Sequence, residues 1–235
     1  MGFIMKKYRA VVVGLGGIGS WLVQGLCPFL NYQRKEQWEV VLVDGDEYEV
    51  QNHTRQVFTE LGAKAEVQAS WVARSFPNLT VKPVASYLSA KGEKGSLPID
   101  QVIQTGDLVF SCVDNHKTRK IIAKHCQTLD DVALISGGNE YTDGNVQVFV
   151  RRDKVDLTAT LDKYHPEIAK PKDKAPFELS CEEAAVSHPQ LIFSNMTAAV
   201  LMLNAFYNIQ DMNMEESEVY FDILANKVVP RVRKK

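Results

Sequence analysis

The sequence predicts an α/β fold: a doubly wound, mostly parallel sheet of Rossmann-like type, closed by C-terminal antiparallel strands. Three observations carry this reading. Short β-branched runs alternate with longer helical stretches, the first run breaks into a glycine-rich turn, and apolar residues switch to a period of two after Gly138.

Ala10 to Val13 is a continuously apolar strand that breaks into Gly14-Leu15-Gly16-Gly17-Ile18-Gly19, and a helix follows through Leu30. Val40 to Val43 is a second buried strand ending at Asp44, and a polar loop from Gly45 to Gln56 leads to a helix from about Ala63 to Ser75. Val81 to Val84 reads as a weaker third strand. Leu108 to Val113 is the next buried run, and Asp114 is a natural N-cap for a helix that buries Ile121, Ile122, Cys126 and Leu129. The strand Val132 to Ser136 follows. Strands alternating with helices imply right-handed crossovers and helices on both faces of the sheet.

From Asn145 to Arg151 the alternation of Val146, Val148 and Val150 with Gln147, Phe149 and Arg151 predicts a half-exposed, antiparallel strand. Asp153 to Leu179 is rich in Lys, Asp and Pro without periodicity, which predicts a mobile loop over one face. A long apolar helix from Pro189 to Ile209 and a closing hairpin from Val219 to Val229, turning at Ala225-Asn226-Lys227, complete the chain. The expected organisation is one domain over residues 1–235: a nucleotide-binding core at 1–151, a loop at 152–187, and the C-terminal helix and strands at 188–235.

Composition narrows the function. With 45% hydrophobic and 24% charged residues the chain can bury a core without metals or disulfides. A net charge of −2 argues against a nucleic-acid footprint. Cys27, Cys112, Cys126 and Cys181 include no CxxC pair, and Met1 to Lys7 carry no secretion leader, so a reducing, cytoplasmic setting is expected. No apolar stretch is read as approaching the roughly 18 residues of a membrane helix, and no membrane role is expected.

Glycines 14, 16, 17 and 19 between a strand and a helix let backbone N–H groups approach a phosphate. The turn alone does not choose among NAD, FAD, S-adenosylmethionine and ATP. Asp44 or Asp46, at the end of the second strand, suits a ribose hydroxyl in any of them. Arg55 and Lys64 discriminate, because a triphosphate needs its charge gripped by a fork and a point cation while the α-phosphorus is attacked. Asp114, at the carboxyl end of a strand, is placed to hold magnesium.

The glycine turn, the acidic pair, Asn52-x-x-Arg55-Gln56, the helix lysine Lys64, and Cys112-x-Asp114-Asn115 with Arg119 beyond it closely resemble the superfamily of ThiF, MoeB and the ubiquitin-activating enzymes. The chain is similar to a compact, bacterial-type member without the zinc-binding CxxC pairs. The resemblance covers the chain well to about Arg151. It implies adenylation by Mg-ATP of a carboxylate, foremost the C-terminal glycine carboxylate of a ubiquitin-like or sulfur-carrier protein, with release of pyrophosphate. It also implies roles for individual residues: Asp44 and Asp46 beside the ribose, Asn52, Arg55 and Gln56 at the phosphates and reaction centre, Lys64 at the transition state, Asp114 on magnesium, and Asn115 and Arg119 shaping the adenine side. A homodimer is implied by the same analogy, in which some members lend an arginine from a partner's N-terminus; here only Lys6, Lys7 and Arg9 precede or begin the first strand.

Cys181, the one cysteine outside an apolar element, is the candidate for onward thioester transfer to a conjugating enzyme, although Glu182 and Glu183 disfavour its thiolate. Three other readings stand beside the main one: adenylation of a peptide or a tRNA base, a nicotinamide-dependent oxidoreductase, and a nucleotide-sensing scaffold without turnover.

Overall fold

The structure, a computed structural model, describes residues 8–33, 37–179, 190–211 and 215–235. In chain order its first half holds β1 (Arg9–Val13), α1 (Gly17–Asn31), β2 (Glu39–Val43), the short β3 (Glu47–Tyr48) and β4 (Gly62–Ala63), α2 (Lys64–Ser75), β5 (Thr80–Val84), β6 (Tyr87–Ser89), β7 (Ser96–Pro98) and β8 (Leu108–Ser111). The second half holds α3 (His116–Cys126), β9 (Val132–Asn139), β10 (Asp143–Arg152), β11 (Val155–Asp156), α4 (Pro166–Ala169), α5 (Ile192–Gln210), β12 (Glu218–Asp222) and β13 (Lys227–Arg231).

Nine strands form the main sheet in the order β13-β12-β10-β9-β8-β1-β2-β5, with β11 against β10. The segment β9-β8-β1-β2-β5 is parallel, and β10, β12 and β13 add antiparallel strands at one end. From β1 the chain moves outward through β2 to β5, then returns to β8 on the other side of β1. The order therefore reverses between β1 and β8, and their carboxyl ends frame the crevice in which ligands of such sheets bind.

Period-two side chains divide the core. Ala10, Val12, Val40, Leu42, Leu108 and Phe110 face one cluster with α1, α2 and α5, while Val11, Val13, Val41, Val43 and Val109 face another with α3 and Ile99 to Ile103. Both faces are buried, so the central strands read as unbroken apolar runs. β5 is an edge strand, which is why it tolerates Pro83 and shows little burial.

Several expectations are corrected. β8 ends at Ser111, leaving Cys112 and Val113 beyond it. β10 is antiparallel but not half-exposed: Phe149 is buried, and Gln147 is buried with its Nε2 donating to Leu161 O at 3.3 Å. The cover comes from the segment read only as a loop, in which Leu161 and Ile168 of α4 pack on the second cluster. α5 has the length and composition to cross a membrane, with a mean hydropathy of 1.2, contrary to the expectation that no stretch comes close. Ala198, Ala199, Met202 and Phe206 place one face of it in the core.

A charged network ties the closing strands to the body. His165 Nδ1 meets Glu167 Oε1 and its Nε2 meets Glu218 Oε1, both at 2.6 Å, while Arg233 Nε donates to Glu218 Oε2 at 2.5 Å and Arg233 Nη2 to the Tyr220 hydroxyl at 3.2 Å. Burial pulls the His165 pKa down, but its two carboxylate partners outweigh this and raise it. Burial pushes Glu218 up, yet hydrogen bonds from His165, Arg233 and Asn145 bring it to about 2. The His165 contribution is complete below an ordinary histidine pKa of about 6.5 and disappears as pH rises through the raised value; that of Glu218 is complete above about pH 4.5 and disappears toward pH 2. The loss in melting temperature caused by His165→Gln should therefore be largest between about pH 4.5 and 6.5 and shrink in alkali. Equal losses at about pH 5.5 and pH 9 would contradict this assignment.

Candidate active site

The site is built where β1 and β8 end. Gly14 lies at φ +89° with its N–H donating to Val43 O at 2.9 Å, and a Cβ there would stand 2.9 Å from the Cys112 carbonyl carbon and oxygen. Only glycine fits that turn. A Cβ on Gly19 would meet Gly14 O at 1.9 Å, so α1 packs tightly against the turn. Gly16 is the N-cap of α1, which has no side-chain cap and no acid in its first turn. Among the described residues no side chain caps the N–H groups at this end, and the positive helix end suits an anion.

Asp44 holds this turn in place: Oδ2 accepts from Leu15 N at 2.6 Å and Oδ1 from Asp46 N at 2.9 Å. Burial raises its pKa against the lowering charge of Lys64. Tyr48 supports the turn from below, its hydroxyl donating to Leu15 O at 2.9 Å and accepting from Gln68 Nε2 at 3.0 Å. The short β3–β4 pairing brings the polar loop back onto the first residue of α2, and Lys64 N donates to Asp46 O at 2.9 Å.

Lys64 is 7% exposed, its Nζ 3.2 Å from Asp46 Oδ2 and 5.8 Å from the Tyr48 ring centre. Asp46 is half-exposed and also accepts from the Tyr87 hydroxyl, whose pKa is raised by burial and by Asp46, Asp44 and Asp114. A cation that is buried against a partner facing solvent is a cation placed at the rim of a crevice. Gln56 is 6% exposed, and its Nε2 lies 3.9 Å from where a Gly16 Cβ would be. Arg55 is half-buried at the end of the 3₁₀ turn Val50–Thr54. Asp114 is exposed at the mouth of β8.

Other expected site residues do structural work. Asn115, not Asp114, caps α3, its Oδ1 accepting from Thr118 N at 2.8 Å. Both side chains are competent caps, but Asn115 has the extended backbone of an N-cap, φ −118° and ψ 142°. Asn52 Oδ1 accepts from Glu49 N at 2.9 Å and braces the 3₁₀ turn. Arg119 is buried and donates to Val113 O and Gly137 O at 2.9 and 3.2 Å, tying the ends of β8 and β9; burial lowers its pKa against the raising charge of Asp114. Arg9 is committed to the buried Asp107 and the partly exposed Glu39 at the opposite edge of the sheet, and Lys6, Lys7 and Cys181 lie outside the described residues. Cys27, Cys112 and Cys126 are buried free thiols with pKa raised by burial, Cys27 to about 12. Sequence reasoning missed Tyr48, Gln68 and Tyr87, whose roles depend on contacts between distant segments.

A model of the ThiF family matches residues 4–234. The molybdopterin-synthase adenylyltransferase of Salmonella typhimurium is 30% identical over 189 residues, covering 79% of this chain and 67% of that protein. The tRNA threonylcarbamoyladenosine dehydratase of Haemophilus influenzae is 28% identical over 144 residues, covering 59% of this chain; the match spans 51% of that protein, about half its length. Among solved structures, Escherichia coli MccB with ATP superposes with a TM-score of 0.68 at 16% identity, over 98% of this chain and 65% of that one. The microcin C7 biosynthetic enzyme MccB in complex with N-formylated MccA gives 0.72 at 16%, over 98% and 66%. These two likenesses establish the fold.

Proposed function

The chain belongs to the ThiF family, and on that premise we propose that it uses ATP to adenylate a carboxylate, foremost the C-terminal glycine carboxylate of a ubiquitin-like or sulfur-carrier protein. The observation that carries the reading is the buried Lys64 paired with half-exposed Asp46 beside an uncapped glycine turn. A nicotinamide dinucleotide asks for the turn and a ribose carboxylate but has no use for a buried lysine opposite them.

In the reaction a carboxylate oxygen attacks the α-phosphorus, the bond to the α,β-bridging oxygen breaks, and its electron pair leaves with pyrophosphate, giving an acyl adenylate. The glycine turn holds phosphate oxygens on backbone N–H groups. Lys64 exchanges its partner Asp46 for charge developing on the phosphates, and Arg55 grips a second set of oxygens. Among the described residues no group of three His, Cys, Asp or Glu could hold a metal unaided. Magnesium binds through one or two carboxylates together with substrate phosphates; Asp114 would hold it, and it would neutralise phosphate charge. Cys181 is the remaining candidate for thioester transfer, because burial keeps the other three thiols protonated. A cytoplasmic homodimer that hands its product to a conjugating enzyme or a sulfur donor completes the proposal.

The test is ATP–pyrophosphate exchange with a candidate ubiquitin-like or sulfur-carrier protein from the same genome. Exchange is expected with the intact protein and not with one whose terminal glycine is deleted. Absence of exchange with every such protein, together with tight NADH binding, would overturn the proposal.

A further inference from the structure

Asn195, in the first turn of α5, is fully buried, yet among the described residues neither its Oδ1 nor its Nδ2 has a hydrogen-bond partner. Its neighbour Ser194 is equally buried and fully engaged: the hydroxyl donates to Leu191 O at 2.8 Å or Tyr141 O at 3.0 Å and accepts from Asn139 Nδ2 at 3.0 Å. Packing around the start of α5 can therefore satisfy polar groups, and Asn195 stands apart. An amide buried without partners is costly, and an apolar side chain would fill the space without that cost.

The position of the amide gives the reason for it. A Cβ on Gly17, the first residue of α1, would lie 2.4 Å from Asn195 Nδ2 and 2.7 Å from its Cγ. The amide thus packs on the opening turn of α1, in room that only glycine leaves. That turn has no side-chain cap and no acid of its own. Toward Gly16 stands a second buried amide, Gln56, whose Oε1 also has no partner among the described residues. Of the two, only Asn195 leaves an amide donor unpartnered at the helix end that attracts an anion.

We propose that Asn195 is a nucleotide-binding residue of this chain, donating its amide N–H to a phosphate oxygen held at the first turn of α1. The inference rests on the ATP reading above and adds a residue from the C-terminal helix to a site otherwise built from the first half of the chain. A neutral donor suits the position, since a fully buried cation would bear a large desolvation cost before ligand arrives.

The test compares wild type, Asn195→Ala, Asn195→Asp and Asn195→Leu for binding of α,β-methylene-ATP by calorimetry and for thermal unfolding without nucleotide. Asn195→Ala should weaken binding about tenfold. Asn195→Asp preserves the shape but places a carboxylate toward the phosphate, and should weaken binding by on the order of a hundredfold. An unpaired carboxylate buried there would itself cost stability, so the stability readout is taken on a packing control, Asn195→Leu, which keeps the branched outline without the unsatisfied polar atoms and should lose affinity while its ligand-free melting temperature holds or rises. Loss of affinity without loss of stability is an outcome that a space-filling role does not produce. All three variants binding within about twofold of wild type would overturn the inference while leaving the ATP reading intact. Failure of the folded wild type to bind the analogue would overturn both.

Discussion

Replacing Lys64 with alanine should lower ATP–pyrophosphate exchange by about two to three orders of magnitude while leaving the fold in place, because a preorganised cation at developing phosphate charge makes one of the largest single contributions to such a reaction. The two halves of that expectation come from different atoms. Nζ is buried, so its field is little screened by water and it needs no reorganisation to meet a phosphate oxygen. Asp46, the partner left behind, is half-exposed and retains the Tyr87 hydroxyl, so water and Tyr87 take over its solvation. Removing one member of this pair therefore resembles breaking a surface ion pair, which costs little stability. The measurement is the exchange rate at saturating ATP beside the melting temperature. Exchange within about twofold of wild type would remove Lys64 from the mechanism. Lys64→Arg sharpens the test: it keeps the charge but brings a planar fork into a space shaped for a point cation, and should recover only part of the rate.

The parts of the fold that were legible in the sequence are those fixed by local rules. Ala10 to Val13 and Val40 to Val43 read as central strands because burial on both faces demands continuous apolar runs, and Gly14 to Gly19 read as a turn because a positive φ and close backbone approach admit no side chain. Lys64 and Arg55 were found by their order relative to that turn. The misreadings share a different cause: each depends on a segment distant in sequence. Gln147 and Phe149 looked exposed because the residues on their face, Leu161 and Ile168, sit in a stretch with no period of its own. Asp114 and Asn115 are equivalent caps in composition, and only backbone direction separates them. Asp44 was assigned to the ribose, whereas its two backbone hydrogen bonds also make it the brace of the glycine turn, which the sequence could not show. Tyr87 reaches Asp46 from beyond the third parallel strand, with no spacing rule to announce it.

Asp107→Ala should be the most destabilising of the substitutions considered, by about 3 kcal/mol, which for a chain of this size lowers the melting temperature by roughly 6–12 °C. Asp107 opens the turn into β8 at 1% exposure and meets Arg9 Nη1 at the start of β1, with Gln104 N also donating to its Oδ2 at 2.8 Å. Arg9 keeps Glu39 at 2.7 Å and the Val102 carbonyl at 2.9 Å, which sets the cost near the lower end for a broken buried pair. Truncation still leaves a 9% exposed guanidinium facing an apolar hole between the two strands whose far ends frame the candidate site. Replacing both members, Arg9→Met with Asp107→Leu, removes the stranded charge, so the double variant should melt above Asp107→Ala. A double variant that melts lower would mean that the geometry of the pair, and not the cost of an unpaired charge, dominates. The edge also separates stability from chemistry. Arg9 and Asp107 stand at the amino ends of β1 and β8, and Gly14 and Asp114 follow their carboxyl ends. Exchange activity per folded molecule should therefore be unchanged in Asp107→Ala at temperatures below its transition, and a loss of activity there would show that strain at the amino edge reaches the glycine turn.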